Sequence, residues 1–264
     1  MSASSANAEI RQRSAPAGYA LDTSPEWEKD CAACRICAED YTKFPHKTKA
    51  PYGIMERMEK EVIPLGPLEA NCIVLWNDPE KAWIVDPGAD AAAVAALCRK
   101  RGLKPALVAL THGHFDHIGA IPGIVEIWPD VAVHIAPPDE AIAFSPLNAW
   151  PPHYAPIKRP PTLAADLVEG ATLDCGGVSA TILSTPGHTP GSVCLHFKSE
   201  KLMLTGDTLF AGSCGRTDFP GGSMREMKAS LRRLASMPPE TEVVPGHGDF
   251  TTIGREVASN PFFD

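Results

Sequence analysis

Beyond Val62, apolar residues fall into short runs separated by turn residues. ANCIVLW (70–76) and AWIVDPG (82–88) are rich in β-branched and aromatic side chains and close on Pro, Gly or Asp, so each predicts a strand. ADAAAVAALCRKRG (89–102) predicts an Ala-rich helix, with basic residues in its last turn and Gly102 as its stop. ALVAL (106–110) and VAVHIA (131–136) are short buried strands. Residues 145–161, SPLNAWPPHYAPIKRPP, form a Pro-rich loop whose Trp150, His153 and Tyr154 either line the mouth of a site or serve ordinary loop packing. Strands follow at VSATILST (178–185), SVCLHF (192–197) and KLMLTG (201–206), then a helix at 223–237. TEVVPG (241–246) is the last strand, and TTIGREVAS (251–259) reads as a terminal helix. Strands arrive in runs with a few helices between them. That order fits two sheets packed face to face with helices outside, an α/β sandwich, better than a doubly wound parallel sheet.

Residues 1–58 have another character. They are polar and lack sustained periodicity, so they read as an N-terminal extension, partly disordered and with a short helix near MERMEK (55–60). The domain proper is then 59–264. The first residues lack an apolar core, which argues against a secretory leader; their Ser/Ala/Arg content leaves an organelle transit peptide as a lesser reading beside a cytoplasmic protein. Within the extension, Cys31, Cys34 and Cys37 make C-x-x-C-x-x-C, with His46 downstream. Three thiolates and an imidazole can complete a tetrahedral zinc site, part of an iron–sulfur site is a second option, and no site at all is the default. The other cysteines, Cys72, Cys98, Cys175, Cys194 and Cys214, are scattered mostly in apolar runs and read as reduced core residues.

Composition narrows the function. A 264-residue chain that is 44% hydrophobic can bury a sizeable core, so general disorder is not expected. Its net charge of −8 argues against a nucleic acid as the main substrate. No apolar stretch is long enough for a membrane span.

The candidate chemistry lies in THGHFDHIGA (111–120), which crowds His112, His114, Asp116 and His117 into one loop. His112 and His114 stand two apart after a strand, so they point to the same side. Asp116 and His117 open the next helix. Such crowding is costly without a cation to stabilise the deprotonated groups, and imidazole with carboxylate suits zinc, iron or manganese. Three more candidates sit at strand ends or Gly-rich turns: His188 in TPGHTPGS, Asp207 in LTGDTLF and His247 in VPGHG. Lone histidines elsewhere, His134, His153 and His196, read as structural.

These four separated motifs resemble the metallo-β-lactamase fold superfamily. GDTLFAGSCGRTDFPGG (206–222) and VPGHGDFTTIGREVASNPF (244–262) are similar to its glyoxalase II-like, hydroxyacylglutathione hydrolase branch, in the compact subgroup. The resemblance covers about residues 62–262. It implies a four-layer αβ/βα sandwich with the site at one edge, between the sheets. It further implies two divalent metal ions, zinc first, with iron or manganese as alternatives. His112, His114 and His188 would hold one ion; Asp116, His117 and His247 the other; Asp207 would bridge. Asp116 and Asp207 are expected to act in catalysis as well as in binding. Asp86, in VDPGAD, matches a position that supports the ligand loops. Arg216 matches a position where glutathione thioesterases meet a substrate carboxylate; a salt bridge to Asp218 is the competing reading.

The implied reaction is thioester hydrolysis, in which hydroxide shared by two cations attacks the carbonyl and a thiolate leaves. The partner would be a small-molecule thioester, glutathione-derived in the leading case. A mononuclear-iron persulfide dioxygenase shares the fold and a GRTDF-like loop, while the motif at His247 and the compact ending favour the hydrolase. A nuclease of this fold fits poorly with the acidic balance. A non-catalytic metal or redox protein fits poorly with the complete ligand set. The sequence sets no oligomeric state.

Overall fold

A computed structural model of the protein describes residues 58–263. Its first sheet runs in chain order: β1 (Glu59–Leu65), β2 (Ala70–Trp76), β3 (Ala82–Val85), β4 (Pro105–Ala109), β5 (Ala132–Ile135) and β6 (Leu163–Ala165). The first three strands are antiparallel; β3 to β6 are parallel. The second half begins with β7 (Thr172–Cys175), β8 (Val178–Ser184), β9 (Val193–Phe197) and β10 (Leu202–Gly206). A small hairpin follows, β11 (Leu209–Phe210) with β12 (Ser213–Cys214), and then β13 (Glu242–Pro245) and β14 (Thr251–Thr252). The second sheet has the order β14-β13-β10-β9-β8-β7, with β10 and β13 parallel.

Helices α1 (Ala91–Arg101), α2 (Phe115–Ile118), α3 (Ile121–Ile127) and α4 (Pro137–Ala143) interrupt the first half, and α5 (Met224–Leu234) and α6 (Ile253–Ser259) the second. α1 begins where Asp90 accepts a hydrogen bond from the Ala93 N–H and ends on Gly102 in the left-handed region.

The layering follows from the two-residue period of the strands. In β2, Cys72 and Val74 face one cluster with Val94, Cys98, Ile121 and Ile124 of the outer helices. Their neighbours Ile73 and Leu75 face the opposite way, onto Trp83, Leu107, Ile182, Leu195, Phe197 and Leu204 between the sheets. In the second sheet Leu202 and Leu204 point to that middle layer, while Met203 turns outward to Met227, Leu231 and Leu234 of α5. The result is helix, sheet, sheet, helix: the αβ/βα sandwich expected from the sequence. Each fully buried Leu, Ile or Phe contributes roughly 1.5–3 kcal/mol.

Two local expectations are corrected. Glu59 and Lys60 of MERMEK lie in β1, paired with Trp76 and Leu75; strand pairing outweighs the helical preference of a Met/Glu/Lys run. Thr251 and Thr252 pair with β13 as a strand before α6 starts. The extension with Cys31, Cys34, Cys37 and His46 lies outside the described residues. No helix among those described is long and apolar enough to cross a membrane.

Candidate metal centre

Four segments meet at one edge of the sandwich. β4 runs into Thr111 and His112, and α2 carries Asp116 and His117 in its single turn. The β8–β9 connection holds His188, the end of β10 delivers Asp207, and the end of β13 delivers His247. Parallel strands that stop together present their following loops to a common point. The chain must approach closely there: a Cβ on Gly246 would lie 2.2 Å from Asp207 Oδ1 and 2.8 Å from His117 Cε1.

All seven residues singled out from the sequence converge. His114 Nδ1 lies 2.8 Å from His188 Nε2, with His112 in the same group of donor atoms. His117 Nε2 lies 3.2 Å from His247 Nε2, which is 3.2 Å from Asp116 Oδ2. Asp207 stands between the groups: its Oδ1 is 3.4 Å from His117 Nε2 and its Oδ2 is 3.4 Å from His188 Nε2.

Hydrogen bonds behind the rings fix which nitrogen faces inward. His188 Nδ1–H donates to the Arg216 carbonyl at 2.7 Å and His247 Nδ1–H to the Leu68 carbonyl at 2.9 Å, leaving both Nε2 atoms directed at the centre. His117 Nδ1 meets Asp86 Oδ2 at 3.0 Å. Asp86 also accepts the Thr111 N–H (2.8 Å) and hydroxyl (2.6 Å), so it supports the ligand loop as expected. Asn71 was not singled out from the sequence, yet its side chain donates to Pro245 and Gly248 carbonyls on both sides of His247. Asn148 likewise accepts from the Phe115 N–H and donates to the Gly113 carbonyl. No local pattern marks either asparagine.

The donor set fits cations. His112 Nε2 and Asp207 Oδ1 are buried without a hydrogen-bond partner. Two nitrogens each ~2.1 Å from a tetrahedral zinc stand about 3.4 Å apart, close to the separations here. Electrostatics agree. Burial, with neighbouring histidines, pushes His112 well below its usual range and His114 down to about 3, so both rings are neutral with free lone pairs. Burial also opposes charge on His117, but Asp116, Asp207 and Asp86 overcome it and lift the ring to about 10. The second group therefore sits in a field that attracts positive charge. Among the described residues, every convergent set of three or more such ligands lies here. A larger cleft, about 890 Å³ and lined by Lys81, Lys104 and Trp128, has none.

The mouth is a cleft of about 690 Å³, bordered by Leu68, Phe115, Trp150, Phe210 and Phe219. Arg216 lines it, paired with Asp218 through two 2.7 Å hydrogen bonds, its guanidinium 3.9 Å from the Phe219 ring centroid. Of the three Pro-rich-loop residues, only Trp150 borders this mouth. Tyr154 is buried against Phe115, and His153 lines a separate small depression with Tyr154. His134 pairs with Asp166, and His196 lies within β9, consistent with structural roles. Cys72, Cys98, Cys194 and Cys214 are buried free thiols and Cys175 is partly buried.

Residues 65–247 match the family model described as the metallo-beta-lactamase superfamily. The hydroxyacylglutathione hydrolase GloC of Haemophilus influenzae is 34% identical over 219 residues, 78% of this chain and 99% of that protein. The crystal structure of the BLEG-1 B3 metallo-beta-lactamase superposes with a TM-score of 0.71 at 35% identity, covering 78% of this chain and 99% of that one. That of TTHA1623 in a di-iron-bound form gives 0.69 at 38% identity, covering 76% and 99%.

Proposed function

The chain belongs to the metallo-β-lactamase superfamily, and from that premise we propose that it is a dinuclear metal-dependent thioester hydrolase of the hydroxyacylglutathione type. One observation carries the choice of thioester. Apart from the seven clustered groups, the only titratable residues lining the mouth among those described are Cys214 and Arg216. Burial raises the Cys214 thiol and the Asp218 carboxylate holds Arg216 charged, so neither is a proton donor near neutrality. An amine or alkoxide leaving group needs a proton as it departs; a thiolate does not. The 34% identity to GloC supports the same substrate class.

Two divalent cations, zinc in the leading case, would supply Lewis acidity: they bring the ionisation of water into the neutral range and stabilise negative charge on a carbonyl oxygen. His112, His114 and His188 would hold the first, Asp116, His117 and His247 the second, and Asp207 both. Arg216 and Phe219 give the mouth one cationic and one aromatic wall for the thiol portion of the substrate. Phe115 and Trp150 add further aromatic surface to the same mouth.

The test is turnover of S-lactoylglutathione by protein of measured metal content. Hydrolysis lost on chelation and restored by Zn²⁺, Mn²⁺ or Fe²⁺ is expected. No turnover of glutathione or coenzyme A thioesters, with oxygen consumed in the presence of glutathione persulfide, would replace this reading by a dioxygenase.

A further inference from the structure

We propose that Asp139 is a positioning residue for the first cation group, joining the two loops that carry His112, His114 and His188. The inference rests on reading that group as a cation site.

Asp139 lies in α4, which supplies none of the seven clustered residues, and it is fully buried. Its Oδ2 accepts the Gly113 N–H at 2.8 Å, the peptide between His112 and His114. The same oxygen accepts the hydroxyl of Thr189, next to His188, at 2.7 Å. Its Oδ1 accepts the Gly191 N–H at 2.6 Å, in the turn that follows. One carboxylate thus receives three donors from two loops that are far apart along the chain. Gly191 permits the approach, since a Cβ there would lie 2.6 Å from Asp139 Oδ1.

Two features separate this from ordinary packing. No Lys, Arg or His lies within ion-pair distance of Asp139 among the described residues, so the three donors carry most of the cost of burying this carboxylate. Two of the donors are backbone N–H groups, which only an acceptor can face. Asparagine matches the shape but has a single acceptor oxygen, so its NH₂ would oppose either the Gly191 N–H or the Gly113 N–H. The bonds are also one-sided: they meet the shared 112–117 segment at its His112–His114 end and the turn after His188, and reach none of the residues of the second group. Losing them should therefore weaken one ion and spare the other, which a general loss of stability would not do.

The experiment uses the full chain loaded with zinc, with bound metal measured by elemental analysis and affinity by competition with a chromophoric chelator. Asp139→Asn should hold one ion as the unsubstituted protein does and the other about 10–100-fold more weakly. Combined with His188→Ala it should cause no further loss; combined with His247→Ala it should leave neither ion tightly held. Thr189→Val removes one donor and keeps the carboxylate, so it should weaken the same ion by a smaller factor, and Thr189→Ser should restore it. If Asp139→Asn does not fold, the Thr189 pair decides, and a Thr189→Val protein with unchanged affinities would overturn the proposal. So would equal weakening of both ions in Asp139→Asn. Unsubstituted protein that binds no metal would instead overturn the reading of the site itself.

Discussion

Asp207 places Oδ1 near His117 and Oδ2 near both His188 and His247, so its carboxylate touches both groups, and Oδ1 has no hydrogen-bond partner. Asp207→Ala should therefore lower the affinity for both ions at once, whereas His247→Ala should weaken mainly the second; metal content by elemental analysis reads the difference. Asp86→Asn keeps the size of a residue held at φ +48°, where Asn is tolerated, but removes the charge facing His117 and Thr111. It should cost about 10–100-fold in metal affinity with little change in fold, read by chelator competition and circular dichroism. The seven ligand candidates were legible in the sequence because their chemistry is concentrated in short motifs at strand ends. Asp139, Asn71 and Asn148 were not. Each acts through hydrogen bonds to segments distant in the chain, and an Asp in a Pro-Pro-Asp-Glu run reads as loop rather than as a clamp between ligand loops.

Among the elements, those with enough length to show a period were read well. The Ala-rich helix became α1, and the four central strands of the second sheet fell within a residue or two of their expected ends. α3 and α4 were missed: each has seven residues, under two full turns, and carries proline in its first turn, which reads as loop. β6 and β7 are short and only partly buried, so they lack a continuous apolar run. α5 is the best defined outer helix. Ser223 accepts from the Glu226 N–H at its start, and Met227, Leu231 and Leu234 face the second sheet. Leu231 is almost wholly buried there, so Leu231→Ala should destabilise the protein by about 2–5 kcal/mol, read by urea unfolding.

For the whole molecule, the matched relatives suggest where the essential part begins. GloC aligns over 99% of its length yet covers only 78% of this chain. A chain starting near Met58 should therefore fold and keep its metals, as elemental analysis of the truncated protein would show; insoluble or metal-free protein would mean that the extension is required. The first sheet is built entirely from residues before 166 and the second entirely from residues after 171, so the chain passes from one to the other once. Each cation group draws on both halves: His112 and His114 with His188, Asp116 and His117 with His247. The ions would then serve as reversible rivets across a seam that the chain itself stitches at a single place. At a hundred times its Kd, each ion adds about 2.7 kcal/mol to the joined state. Nicking the chain near Val168, which is exposed, should leave two pieces held by the apolar layer between the sheets and further tightened by the ions. On size-exclusion chromatography the pieces should travel together with zinc present and separate more readily when a chelator strips it.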